Sequence, residues 1–184
     1  MASIGHVRAT LDDLHRHPGK AELVNGRIIE QLPTGDKPGQ VGGNIYASLR
    51  DYSKSHPGTA YPDNVGYTVP ELPSGRESFS PDASYYNGLP PANRMRFIEG
   101  TPRFGAEVRS DGPAAEASLA EKRADYFAAG AEVIWDVDPE AEEVHVYRRS
   151  APDQPVTYRR GQVAEARPAL PGWRLAVDDV FWVK

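Results

Sequence analysis

The run from Phe104 to Arg149 constrains the fold more than any other part of the chain. Phe104, Ala106 and Val108 alternate as one buried face of a strand, which stops at Ser110-Asp111-Gly112. The segment PAAEASLAEKRADYFAAG follows as an amphipathic helix closed by Gly130. EVIWDVDPEAEEVHVYRR then reads as a strand, a turn at Asp138-Pro139 and a second strand. A strand, a helix and two further strands place the chain in the mixed α/β class. The first strand also poses a chemical problem. Its second face carries Glu107 and Arg109, an acid and a base on a segment that otherwise reads as interior.

The preceding sequence supplies smaller elements. Thr10 and Asp13 form an N-cap with an acid three residues on, opening a short helix that Pro18-Gly19 ends. In AELVNGRIIEQL, Asn25-Gly26 separates two apolar runs and signals a hairpin, with Glu22 in its first strand. Residues 33–39 read as a loop. Val41, Ile45, Leu49 and Tyr52 form a helical stripe that stops at Pro57-Gly58. Thr59 to Val69 reads as one or two short strands, Leu72 to Ser78 as a polar turn, and FSPDASYY as one strand. Gly88 to Thr101 is a Pro-rich basic loop. VTYRR, WRLAV and VFWV read as short strands or edge pieces. WRLAVDDVFWVK is a candidate exposed apolar patch, or alternatively a core or dimer strand. No repeat interrupts the chain, and 184 residues suit a single domain spanning 1–184.

Composition narrows the function classes. The chain has no cysteine, which removes disulfides, zinc-thiolate sites and cysteine nucleophiles and makes the cytoplasm the expected location. It contains no run long enough to span a membrane and no secretory pattern at its start. A net charge of −5 argues against non-specific coating of nucleic acid but not against local contact. Arg94/Arg96, Arg148/Arg149 and Arg159/Arg160 suit phosphate contact or simply a solvated surface. His6, His15, His17, His56 and His145 show no metal-ligand spacing and read as surface residues.

Asp82 and Glu107 are acids set among apolar or aromatic neighbours. If they lie on neighbouring strands their carboxylates repel each other, and a divalent cation with oxygen ligands would relieve the repulsion. Such a cation also activates water against a phosphodiester. Pro-Asp occurs at Asp63, Asp82 and Asp153, so the dipeptide alone says little. The helix adds more. Leu119, Lys122, Tyr126 and Ala129 share its apolar stripe, while Glu116 and Asp125 fall away from it. Lys122 therefore faces an acceptor or anion, or its stem carries the charge back to water.

The order ELVNGRIIEQLPTG, SPDASYY, AEVRS and EKRADYFAAGAEVIWDVDP resembles the Uma-type restriction-endonuclease family of the PD-(D/E)XK nuclease superfamily. The likeness is strongest from Glu121 to Pro139, where Lys122, Tyr126, Gly130, Trp135, Asp138 and Pro139 fit the pattern. It implies a restriction-endonuclease-like fold, a central mixed β-sheet flanked by α-helices. It implies a metal-dependent endonuclease cutting DNA, with Mg2+, or Mn2+ as substitute, held by Asp82, Glu107 and the Val108 backbone carbonyl. Lys122 and Glu22 complete the implied catalytic set. Arg109, Tyr126, Arg94, Arg96 and Arg103 are candidate substrate contacts, and a homodimer is implied by analogy. Two positions depart from the family. Arg109 replaces an aliphatic residue, and Pro38 stands where a histidine opens the helix. The alternative is a catalytically silent protein of the same fold that binds nucleic acid or regulates.

Overall fold

The computed structural model describes residues 8–110 and 115–183, with only the backbone described at 115–117. Asp111-Gly112, the expected helix start at Pro113, the Glu116 side chain and His6 lie outside the described residues. The elements run α1 (Leu11–Arg16), β1 (Ala21–Val24), β2 (Arg27–Glu30), α2 (Asp36–Ser53), β3 (Thr59–Pro62), β4 (Tyr67–Thr68), β5 (Ser78–Phe79), β6 (Ala83–Tyr86), β7 (Ile98–Glu99), β8 (Phe104–Val108), α3 (Ala115–Ala129), β9 (Val133–Asp138), β10 (Glu143–Arg148), β11 (Ala151–Tyr158), β12 (Val163–Ala166), β13 (Leu170–Ala176) and α4 (Val177–Val180).

Local chemistry explains the ends. Thr10 and Asp13 form a complete capping box at α1. Asn25 and Gly26 both take positive φ, 52° and 67°, as a two-residue hairpin turn requires, and β1 pairs antiparallel with β2. α2 begins at Asp36, inside the segment read as a loop. Pro38 is tolerated there because a first-turn N–H has no helical acceptor, and the apolar stripe starts only at Val41. FSPDASYY is not one strand. Pro81 has no N–H for a ladder, and the chain leaves β5 and enters β6 in a different sheet.

Six strands form the central sheet in the order β11-β10-β9-β8-β6-β3. β8 and β9 are parallel, and the other neighbours are antiparallel. β8 is central and covered on both sides, so Phe104 to Glu107 are all buried. One face presents Ala83, Tyr85, Phe104, Ala106, Val133, Trp135 and Val137 to Val41, Ile45 and Leu49 of α2. Trp173, Leu175, Val180 and Phe181 complete this core, so the C-terminal segment is interior. Of its aromatic residues, Trp182 stays largely exposed, at 56%, and Arg174, Asp178 and Asp179 face outward. On the opposite face Ile134 packs with Tyr126 of α3, Tyr67, Phe79 and Ile98.

Candidate active site

The second face of β8 carries Glu107 beneath α3. Its Oε2 accepts from Lys122 Nζ at 2.9 Å and its Oε1 from the Tyr126 hydroxyl at 2.7 Å. Lys122 also meets Glu22 Oε1 at 2.8 Å. The lysine thus faces inward onto two carboxylates and does not reach for water. The hairpin brings Glu22 into this network from β1. Glu22 Oε1 accepts the Ser80 N–H at 2.8 Å, and Oε2 accepts from Arg76 Nη1 at 2.6 Å. Arg76 Nε reaches Asp125 at 2.8 Å.

Asp125 corrects the helix reading. It does not fall away from the buried side of α3 but lies 8% exposed, paired with Arg76. Apolar periodicity cannot register a buried acid whose partner comes from a distant turn. Arg76 gave no signal for the same reason, because its segment reads as a polar turn.

Asp82 precedes β6, the neighbour of β8, and its N–H bonds Ala106 O at 3.0 Å. Its Oδ2 accepts the Val108 N–H at 2.8 Å, and its Oδ1 accepts Lys20 Nζ at 2.9 Å. Lys20 also donates to Asp63 Oδ1 at 2.6 Å. Beside Asp82 opens a groove of about 130 Å³, lined in part by Pro38, Gly42, Tyr46 and Asp63. Pro38, which departs from the histidine the resemblance implies there, therefore lines the same groove as Asp82.

The acids outnumber the bases. Glu22, Asp63, Asp82, Glu107 and Asp125 face Lys20, Arg76 and Lys122, a formal surplus of two negative charges. Glu107 feels it most. Its carboxyl is pushed up to about 7, chiefly by burial, with Asp82 and Glu22 adding to the rise and Lys122 opposing it. Glu22 goes the other way. Burial opposes its ionisation, but Lys122 and Arg76 together hold it below the usual carboxylate range. Burial disfavours charge on Lys122, yet Glu107 and Glu22 raise it above the ordinary lysine value, so it is a fixed cation at neutral pH.

Among the described residues, no group of three or more His, Asp or Glu side chains is placed to hold a metal ion. Asp82 and Glu107 nevertheless fit a magnesium-like ion in kind and charge: hard oxygen donors, with an excess of negative charge equal to one divalent cation.

The remaining candidates lie elsewhere. Tyr126 is fully buried, its ring stacked on Phe79 at 4.1 Å and its hydroxyl bonded to Glu107, so its side chain presents no exposed surface. Arg109 turns from the acids to grip Asp136 through Nε at 2.7 Å and Nη2 at 3.0 Å. Asp136 is 1% exposed and also accepts from Arg123 at 3.1 Å. Its parallel pairing with Glu107 sets both side chains on one face, where Arg109 neutralises it. Arg103 precedes the opposite end of β8 and pairs with Glu132 at 2.9 Å, away from Glu107. Arg94 and Arg96 are exposed in their loop. His15 stacks on Phe97, His17 and His145 bond polar neighbours, and His56 lies on Tyr52; none is buried.

The model of the Uma2 family, described as "Putative restriction endonuclease", matches residues 9–178. No curated protein matches the chain. Among solved structures, the chain is similar to a "putative nuclease belonging to DUF820" from Anabaena variabilis. The TM-score is 0.73 at 20% identity, covering 94% of this chain and 97% of that one. At that identity the likeness speaks for the fold, which is restriction-endonuclease-like.

Proposed function

The chain belongs to the Uma2 family, whose function is of nuclease type, and from that premise we propose a metal-dependent endonuclease that hydrolyses DNA phosphodiester bonds. One observation carries the proposal. Lys122 lies buried between Glu22 and Glu107, and Asp82 stands near enough to Glu107 to raise its carboxyl, in a cluster with a formal surplus of two negative charges.

Asp82, Glu107 and the Val108 carbonyl are the residues that would hold Mg2+, or Mn2+ in its place. When bound, the ion would polarise the scissile phosphate and lower the pKa of a water. The chain's own groups do the rest. Lys122 is charged throughout the neutral range, so it is no base. It serves as a positive pole for the charge that grows on the phosphate. Glu22 holds that pole in place, and the Tyr126 hydroxyl fixes the rotamer of Glu107. Arg94 and Arg96 supply exposed phosphate contacts. Two copies pairing across a duplex would present one such site to each strand, which light scattering with and without DNA would detect.

The test is plasmid nicking with Mg2+ and with EDTA. Wild-type protein should nick only with the metal. Lys122→Met should lose on the order of 100-fold in rate, as removal of a preorganised charge stabiliser does. Equal rates for wild type and Glu107→Ala would sink the assignment.

A second reading has its own support. Every carboxylate oxygen of Asp82 and Glu107 already accepts a hydrogen bond from the protein. A silent fold that binds nucleic acid could keep such a closed network. Calorimetry separates the two, because DNA binding that neither needs nor responds to Mg2+ would favour the silent module.

A further inference from the structure

We propose that Lys20 is a built-in counter-ion that occupies Asp82 in place of the metal and withdraws onto Asp63 when the metal binds. The inference rests on the metal site proposed above, and it concerns a residue that no motif of the sequence singled out.

The geometry is that of a shared cation. Lys20 Nζ lies 2.9 Å from Asp82 Oδ1 and 2.6 Å from Asp63 Oδ1. The Lys20 and Asp82 side chains are sheltered, at 14% and 15% exposure, while Asp63 is open at 46%. Asp82 Oδ2 accepts the Val108 N–H, and Oδ1 is the oxygen that already faces a cation, Lys20. A metal ion drawn to Oδ1 therefore competes with Lys20 for it.

Asp63 gives the lysine somewhere to go. Its Oδ1 also accepts the Asn64 N–H at 2.7 Å, so the carboxylate is fixed at the turn after β3. Asp63 and Asp82 line the same groove. A small rotation of the lysine stem lengthens the contact with Asp82 while keeping the shorter one with Asp63. Two cations on Oδ1 of a sheltered carboxylate repel each other strongly at contact distance. Lys20 thus sets the affinity of Asp82 for metal. It keeps the carboxylate compensated before the metal arrives, without changing the donors the metal would use.

The test is a titration of full-length protein with Mn2+ alone, followed by calorimetry and by the loss of the free-ion paramagnetic resonance signal. Lys20→Met removes the competitor, and the Kd should fall by roughly tenfold, the scale of one close charge contact. Asp63→Asn should act in the opposite sense, because Lys20 then rests on Asp82 alone, and the Kd should rise by about threefold or more. Lys20→Arg should restore competition and return the Kd toward the wild-type value.

A residue that merely braced the loop would weaken binding in both variants, so opposite signs distinguish the roles. Asp63 is half-exposed, so Asp63→Asn remains informative even if Lys20→Met does not fold. If wild type binds Mn2+ and Lys20→Met binds no tighter, or Asp63→Asn binds no weaker, the counter-ion role is overturned alone. If no form binds Mn2+, the metal site itself is wrong, and the role of Lys20 falls with it.

Discussion

Glu107 is the residue on which the chemistry of the site and the stability of the fold meet. Burial pushes its carboxyl up to about 7 in the folded chain from an ordinary value of 4.5. The sign follows from proton counting. Below about pH 4.5 both states are protonated, and between 4.5 and 7 the unfolded chain ionises first. Glu107 therefore destabilises the fold as pH rises through that window, by an amount on the order of 3 kcal/mol at most. Glu22, whose carboxyl is held low, acts in the other window and withdraws stability as pH falls below its ordinary value. Urea unfolding between pH 4.5 and 8 should show wild-type stability declining toward 7, and Glu107→Gln should flatten that decline. An unchanged slope in the variant would refute the assignment. Arg76 makes a second prediction at this scale. It is the buried partner of Glu22 and Asp125, so Arg76→Met takes the cation from Asp125 and leaves Glu22 to Lys122 alone, and should cost about 3–5 kcal/mol. Legibility at this scale was uneven. Lys122 could be found because a charge on an apolar stripe is a conspicuous violation. Arg76, Asp125 and Lys20 could not, since their meaning lies in partners far along the chain.

The elements were legible where a local rule decides them. Asn25-Gly26 specified the β1–β2 turn because its backbone conformation excludes most residues, and that hairpin delivers Glu22 to the site. α2 was only half legible, since its first turn carries no apolar residue to extend the stripe below Val41. β5 and β6 were merged because alternation ran through Pro81, and the chain's change of sheet leaves no mark on side-chain period. The hairpin supports a prediction. Gly26 sits at φ 67°, and an added Cβ would lie 2.6 Å from Arg8 Nε and 2.9 Å from Arg8 Cβ, so the Arg8 backbone must shift as well as its side chain. The left-handed backbone strain alone makes Gly26→Ala cost about 1–2 kcal/mol, and the clash adds to it. β1 is also tied to the next strand region by Leu23 N–H to Ser78 Oγ at 2.7 Å and by Glu77 N–H to Leu23 O at 2.9 Å. Glu22 should accordingly stay in place. Chemical denaturation should register the loss while Mn2+ affinity is unchanged; a parallel loss of affinity would mean that the turn alone positions the acid.

At the scale of the molecule, α/β class followed from the strand–helix–strand–strand run, but the closure of the core did not. The C-terminal third offered only short apolar pieces, and nothing in their period says which sheet face they cover. In the structure they cover the face opposite Lys122. Trp173 lies 4.8 Å from Trp135 and 5.3 Å from Phe104 between ring centroids, and its Nε1 donates to Ser48 Oγ of α2 at 3.1 Å. Residues from α2 through Phe181 thus share one core, so we infer that the chain behaves as a single cooperative domain. Trp173→Ala opens a cavity between the sheet and α2 and should cost about 3–5 kcal/mol. Both buried tryptophans report on this core, whereas far-UV circular dichroism reports on all the elements. In the wild type the two signals should trace one coincident urea transition, and in the variant they should shift together to lower urea. Separate midpoints would show that the C-terminal segment unfolds by itself and that the acids sit on an independent subdomain. Mn2+ should still bind the folded variant with wild-type affinity, because the cavity lies across the sheet from Glu107 and Lys122.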